Sequence, residues 1–108
     1  MQTPSLQYIK DLADGDQSFV LEITTLLKKE FPKDLKLFYH RVEENDLFGI
    51  ASSFHKIKYK FGLLGLEDDL LIASKFENEI KTGNKALLIQ FESILLKIDR
   101  YLKKDVVC

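Results

Sequence analysis

Between Asn45 and Gly65 the apolar residues Leu47, Ile50, Phe54, Ile57, Phe61 and Leu64 recur at intervals of three and four, with no proline among them. A strand would scatter these side chains over two faces, whereas a helix gathers them into one stripe. Asn45-Asp46 supplies a helix start and Gly65 a stop. Such a helix has one apolar face and needs other elements to cover it.

The rest of the chain supplies partners of the same kind. From Asp16, residues Phe19, Val20, Ile23 and Leu27 share a helical face that runs to Phe31. Pro32 removes a donor and disfavours helix at the residue before it, so a kink or restart is expected there. Leu35, Phe38, Tyr39 and Val42 then continue the pattern to about Glu44. A later helix from about Leu66 to Ile80 carries Leu70, Ala73, Phe76 and Ile80, and Lys81-Thr82-Gly83-Asn84 forms a turn. The last, from about Lys85 to Lys103, presents Leu87, Phe91, Ile94, Ile98 and Leu102. Thr3 or Ser5 can cap a short helix over about residues 4–13, which carries Leu6, Ile9 and Leu12 and ends in the turn Asp14-Gly15-Asp16.

Short connections place sequential helices side by side in opposite directions. The expected fold is all-α: an antiparallel up-down four-helix bundle over about residues 16–103, with the short additional N-terminal helix across one end. At 108 residues and 45% hydrophobic content, residues 1–108 suit a single domain with one core. The phenylalanines at 19, 31, 54, 61, 76 and 91 are expected in that core, not around a cofactor.

Charge and composition narrow the function classes. A net charge of -1 argues against phosphate-backbone binding, so no nucleic-acid partner is expected. The one cysteine, Cys108, permits neither an intrachain disulfide nor a thiolate metal site. The Glu-x-x-His pairs of a di-metal bundle are also absent. The first residues lack the pattern of a signal peptide, and no stretch reaches the ~18 apolar residues that span a bilayer. A cytoplasmic protein without a membrane partner is therefore expected.

His55 lies off the apolar stripe. At ~100° per residue, Phe48, Ala51, His55, Lys58, Tyr59 and Gly62 fall together on its flank. A neutral imidazole, with an unperturbed pKa of ~6.5, is a competent phosphoryl acceptor. Lys58, one turn on, can offset charge on phosphoryl oxygens. Phe48 and Tyr59 offer apolar anchors, and small residues at 51 and 62 leave the ring accessible. Glu77 falls at the edge of the following helix's stripe, where it can reach the other ring nitrogen or pair with Lys81 at i,i+4. Lys56, Lys58 and Lys60 alternate and so spread around the surface; Lys58 is the candidate among them. His40 has no comparable neighbours.

The segment FHKIKYKFGLLG resembles the signature of histidine-containing phosphotransfer (HPt) domains, H-x-L-K-G with a further glycine ten residues after the histidine. Phe76-Glu77 is similar to the family's apolar-then-Glu/Gln site, and the likeness covers roughly residues 16–103. The resemblance implies a phosphocarrier without kinase or ATPase activity of its own. It would take a phosphoryl group from the aspartate of one response-regulator receiver domain, such as that of a hybrid histidine kinase, and pass it to another. His55 would be phosphorylated, Lys58 would stabilise charge, Gly65 would stop the helix and Glu77 would orient the imidazole. No cofactor is implied for this chain, since Mg²⁺ belongs to the receiver. Tyr59 departs from the pattern, which has glycine four residues after the histidine. It motivates an alternative from another class: a docking or inhibitory module that binds a receiver or kinase through Phe48, Tyr59 and Gly62 without turnover.

Overall fold

The computed structural model describes residues 3–104, and Cys108 lies outside them. Within these residues the chain is all-helical, with five helices and no strand: α1 (Gln7–Ala13), α2 (Gln17–Glu43), α3 (Leu47–Leu63), α4 (Glu67–Ile80) and α5 (Leu88–Lys103). Each of α2 to α5 packs on the next, α5 closes back on α2, and α1 lies against α2. This packing is that of a helical bundle.

Side-chain and backbone caps set the helix limits. Asp16 accepts a hydrogen bond from the Phe19 N–H at 3.1 Å to start α2, and Asp46 accepts one from the Gly49 N–H at 2.9 Å to start α3. Asn45, at φ 53°, ends α2, with the Asp46 N–H returning to the Arg41 carbonyl at 2.9 Å. Gly65, at φ 73°, ends α3 in the same way, with the Leu66 N–H on the Phe61 carbonyl at 3.0 Å. Three acidic residues in its first turn, Glu67, Asp68 and Asp69, favour the start of α4 electrostatically.

Three expectations about helix limits are corrected. The chain does not restart at Pro32, because α2 runs unbroken from Gln17 to Glu43. Pro32 and Lys28 lie on the exposed side, while Leu27, Phe31 and Phe38 are buried opposite them. Burying these apolar side chains contributes roughly 1.5–3 kcal/mol each, which together outweighs the ~3 kcal/mol that proline costs inside a helix through its lost hydrogen bond and ring clash. The last helix starts at Leu88 instead of near Lys85, since the Asn84 side chain accepts from the Ala86 N–H at 2.9 Å and holds a turn there. The first helix starts at Gln7; Leu6 just before it and Ile9 are buried, Ala13 packs partly against the core, and Leu12 is exposed. Ser5 fixes this entry, its N–H donating to the Leu64 carbonyl at 3.0 Å.

Phe31, Phe38, Phe54, Phe61, Phe76 and Phe91 are fully buried, whereas Phe19 is only partly so. Phe91 is the hub, its ring centroid 4.9–5.8 Å from those of Phe38, Phe54, Phe61 and Phe76. All four helices of the ring thus meet at one α5 side chain.

Lys60 is not a surface charge. It is buried between α3 and α2, where its ammonium pairs with Asp34 and lies 3.4 Å from Glu30. Its aliphatic stem covers the core while its head finds carboxylates at the α2 edge. Lys60→Met strands the Asp34 carboxylate in a nearly enclosed site and is expected to destabilise the fold by about 2–3 kcal/mol in urea denaturation. Adding Asp34→Leu is expected to recover most of that loss. A single variant as stable as the parent would show that water screens the pair.

Candidate functional site

The fold turns α3 so that Ile50, Phe54, Ile57 and Phe61 are at most 2% exposed, which carries His55, one residue past Phe54, out to solvent. Among the described residues the imidazole makes no hydrogen bond or ion pair. Phe48 (90% exposed) and Tyr59 (65% exposed) stand on either side of it along the helix. One turn beyond Tyr59, Gly62 leaves open space where a side chain would be. Ala51 is corrected: it is 9% exposed and belongs to the core, because its short side chain lies on the side of α3 that turns inward.

Lys58 and Glu77 meet each other. The Lys58 ammonium donates to Glu77 Oε1 at 2.7 Å and lies 3.4 Å from Ser74 Oγ, both on α4. Glu77 is joined neither to His55 nor to Lys81 among the described residues. The cause is angular: Lys58 sits ~60° round α3 from His55, toward α4, and its long stem reaches the carboxylate before the imidazole can. The pair is partly shielded, with side-chain exposures of 27% and 14%. Glu77 thus holds Lys58 instead of orienting the ring.

On the opposite side His55 borders two open grooves against α2. One is lined by Asp34, Leu37, Arg41, Ser52 and Lys56. The other is lined by Glu30, Lys56, Tyr59 and Lys60. Arg41 had no prominence in the sequence, yet its Nη1 donates to the Gly49 carbonyl at 2.8 Å, to Ser53 Oγ at 2.8 Å and to Ser52 Oγ at 3.1 Å. Position eight residues before Gly49, across a helix end, carries no periodic signal. His40, its neighbour, is exposed in the last turn of α2.

Gly49 makes this arrangement possible. A Cβ there would collide with the Asp46 capping carboxylate and come within 2.8 Å of Arg41 Cδ. Gly49→Ala is therefore expected to destabilise the protein by about 1 kcal/mol net, the lost cap and displaced arginine exceeding the gain in helix propensity. Gly62→Ala, which meets nothing within 4 Å, is expected to stabilise by about 0.5–1 kcal/mol. Equal shifts in the two denaturation midpoints would contradict the role given to Gly49.

The described residues contain no group of three or more His, Cys, Asp or Glu side chains able to hold a metal ion. Among them no helix is long and apolar enough to cross a membrane. What the site offers is a free nucleophilic imidazole on a rigid helix, cations on both flanks and two exposed aromatic side chains. No family model, curated protein or solved structure matches the chain.

Proposed function

We propose that this protein is a phosphorelay phosphocarrier of the HPt type in which His55 accepts a phosphoryl group from a receiver-domain aspartate and gives it to another receiver. The observation that carries the reading is the solvent-exposed, unbonded imidazole set between exposed Phe48 and Tyr59, with Lys58 fixed one turn away. In this reading the bundle is the antiparallel up-down four-helix form, and α1 is an addition to it. Residues 1–108 act as one domain in the cytoplasm.

The chemistry asks little of the chain. The unprotonated ring nitrogen attacks the phosphorus of an aspartyl phosphate; the N–P bond forms as the P–O bond to the carboxylate breaks. The carboxylate leaves with the electron pair, and the other ring nitrogen keeps its proton. Positioning and charge stabilisation dominate such transfers, and the Mg²⁺ they need would be bound by the receiver. Phe48 and Tyr59 would anchor the receiver over the ring while Gly62 leaves clearance. Lys58, held by Glu77 and Ser74, would face the arriving phosphoryl group already extended.

The test is incubation of the protein with a phosphorylated receiver. The expected product is a phosphoprotein whose label is labile in acid and stable in alkali, as an N–P bond requires. Saturable receiver binding with no exchange of label would instead support the docking or inhibitory module and remove the carrier function.

A further inference from the structure

On the α2 side of His55 the structure gathers two cations that make no ion pair among the described residues, while the carboxylates there, Asp34 and Glu30, face Lys60. Arg41 and Lys56 line one groove with His55, and neither has an ion-pair partner among the described residues. The carboxylate in that groove, Asp34, is held by Lys60. Lys58, by contrast, has its charge offset by Glu77 at 2.7 Å. The stronger pull on an anion at His55 therefore comes from the α2 flank, opposite the lysine that the spacing singles out.

Arg41 is also built to receive one. The Ser52 and Ser53 hydroxyls donate to the Gly49 carbonyl at 2.9 and 3.0 Å, so each accepts from Arg41 Nη1. This tie fixes one corner of the guanidinium. Nε and Nη2 carry three of its five N–H donors, and neither makes a hydrogen bond among the described residues. Ser52, which accepts from the guanidinium, lies one turn before His55 on α3, and Arg41 and His55 line the same groove. A planar fork of unspent donors matches the oxygens of a phosphoryl group.

We propose that Arg41, with Lys56 beside it, binds the terminal oxygens of a phosphoryl group carried on His55; this rests on the phosphocarrier reading above. The expected sign follows from charge. A cation bound to the phosphoryl oxygens favours the dianion, so losing it raises the pH of the monoanion-to-dianion step, which lies near 6 for free phosphate esters.

The full chain in a His40→Gln background, labelled on His55 with potassium phosphoramidate, provides the test. The reagent's N–P bond breaks with loss of ammonia as the bond to the ring nitrogen forms, so no receiver is needed. Phosphorus NMR titration should place the midpoint about 0.5–1 pH unit higher in Arg41→Gln than in the parent, with Arg41→Lys, which keeps the charge but not the fork, restoring part of the difference and Lys58→Gln moving it less. Urea denaturation of each variant verifies that the folded form is titrated. The proposal is overturned by an unchanged midpoint in Arg41→Gln, by a shift that Arg41→Lys does not reduce at all, by a larger shift in Lys58→Gln, or by no label on His55. If receivers fail to phosphorylate the protein while the midpoint still depends on Arg41, the carrier reading falls and the oxyanion site stands. Receiver transfer with an Arg41-independent midpoint gives the converse.

Discussion

His55→Gln is expected to abolish acceptance of label from a phosphorylated receiver, a loss of at least about 100-fold, while leaving the unfolding free energy within about 0.5 kcal/mol of the parent. The loss is complete because glutamine has no ring nitrogen to form the N–P bond, and an activated nucleophile has no substitute one turn away. Its structural effect is small because the imidazole is exposed and unbonded, so no cavity or unsatisfied partner is left behind. His40→Gln serves as the control: it removes the other exposed imidazole, on α2, and should retain full labelling. Radiolabel transfer followed by gel autoradiography separates the cases. Full labelling of His55→Gln would remove His55 from the mechanism altogether.

Phe91→Ala is expected to cost about 3–5 kcal/mol, a large share of a small domain's stability. Phe91 is fully buried, and its ring is within 5.8 Å of four others drawn from α2, α3 and α4. Removing it opens a cavity that those rings cannot close without leaving their own contacts, so the cavity cost adds to the lost burial. Phe91→Leu, which keeps much of the volume, should cost less than half as much. Ile89, exposed on the same helix, supplies the contrast: Ile89→Ala should shift the urea midpoint little. A Phe91→Ala midpoint close to that of the parent would contradict the hub role.

The helices were legible because an amphipathic stripe is a local, repeated signal. Five apolar positions in α3, with Leu64 just past its end, define its buried face without reference to any other helix, and Asp16, Asp46, Asn45 and Gly65 mark ends through bonds made within a few residues. The limits that differed are those where non-local packing competes with local preference. Pro32 alone argues for a break, but Leu27, Phe31 and Phe38 bury around it and hold one helix together. Leu12 fits the α1 pattern, yet a seven-residue helix can bury only the side that meets its neighbour.

The candidate site divides in the same way. The exposure of His55, Phe48 and Tyr59 was readable, since it follows from their angle to the stripe on one helix. Ala51 lies near the boundary of that stripe, where periodicity cannot decide between core and surface, and packing took it inward. The alternation of Lys56, Lys58 and Lys60 says only that they point apart. Which one is buried against Asp34, which is tied to Glu77 and which shares a groove with Arg41 depends on the helices that flank α3.

The sequence by itself determined the helices, most of the core and the exposure of His55, because each follows from the angular period of a single helix. The tertiary structure alone decided where the charge around that imidazole resides. Glu77 is 22 residues from His55 and Arg41 is 14, on different helices, and neither separation carries a periodic signal. Packing α4 against one flank of α3 gave Glu77 to Lys58, and packing α2 against the other set Arg41 over Gly49, leaving unspent donors beside the histidine.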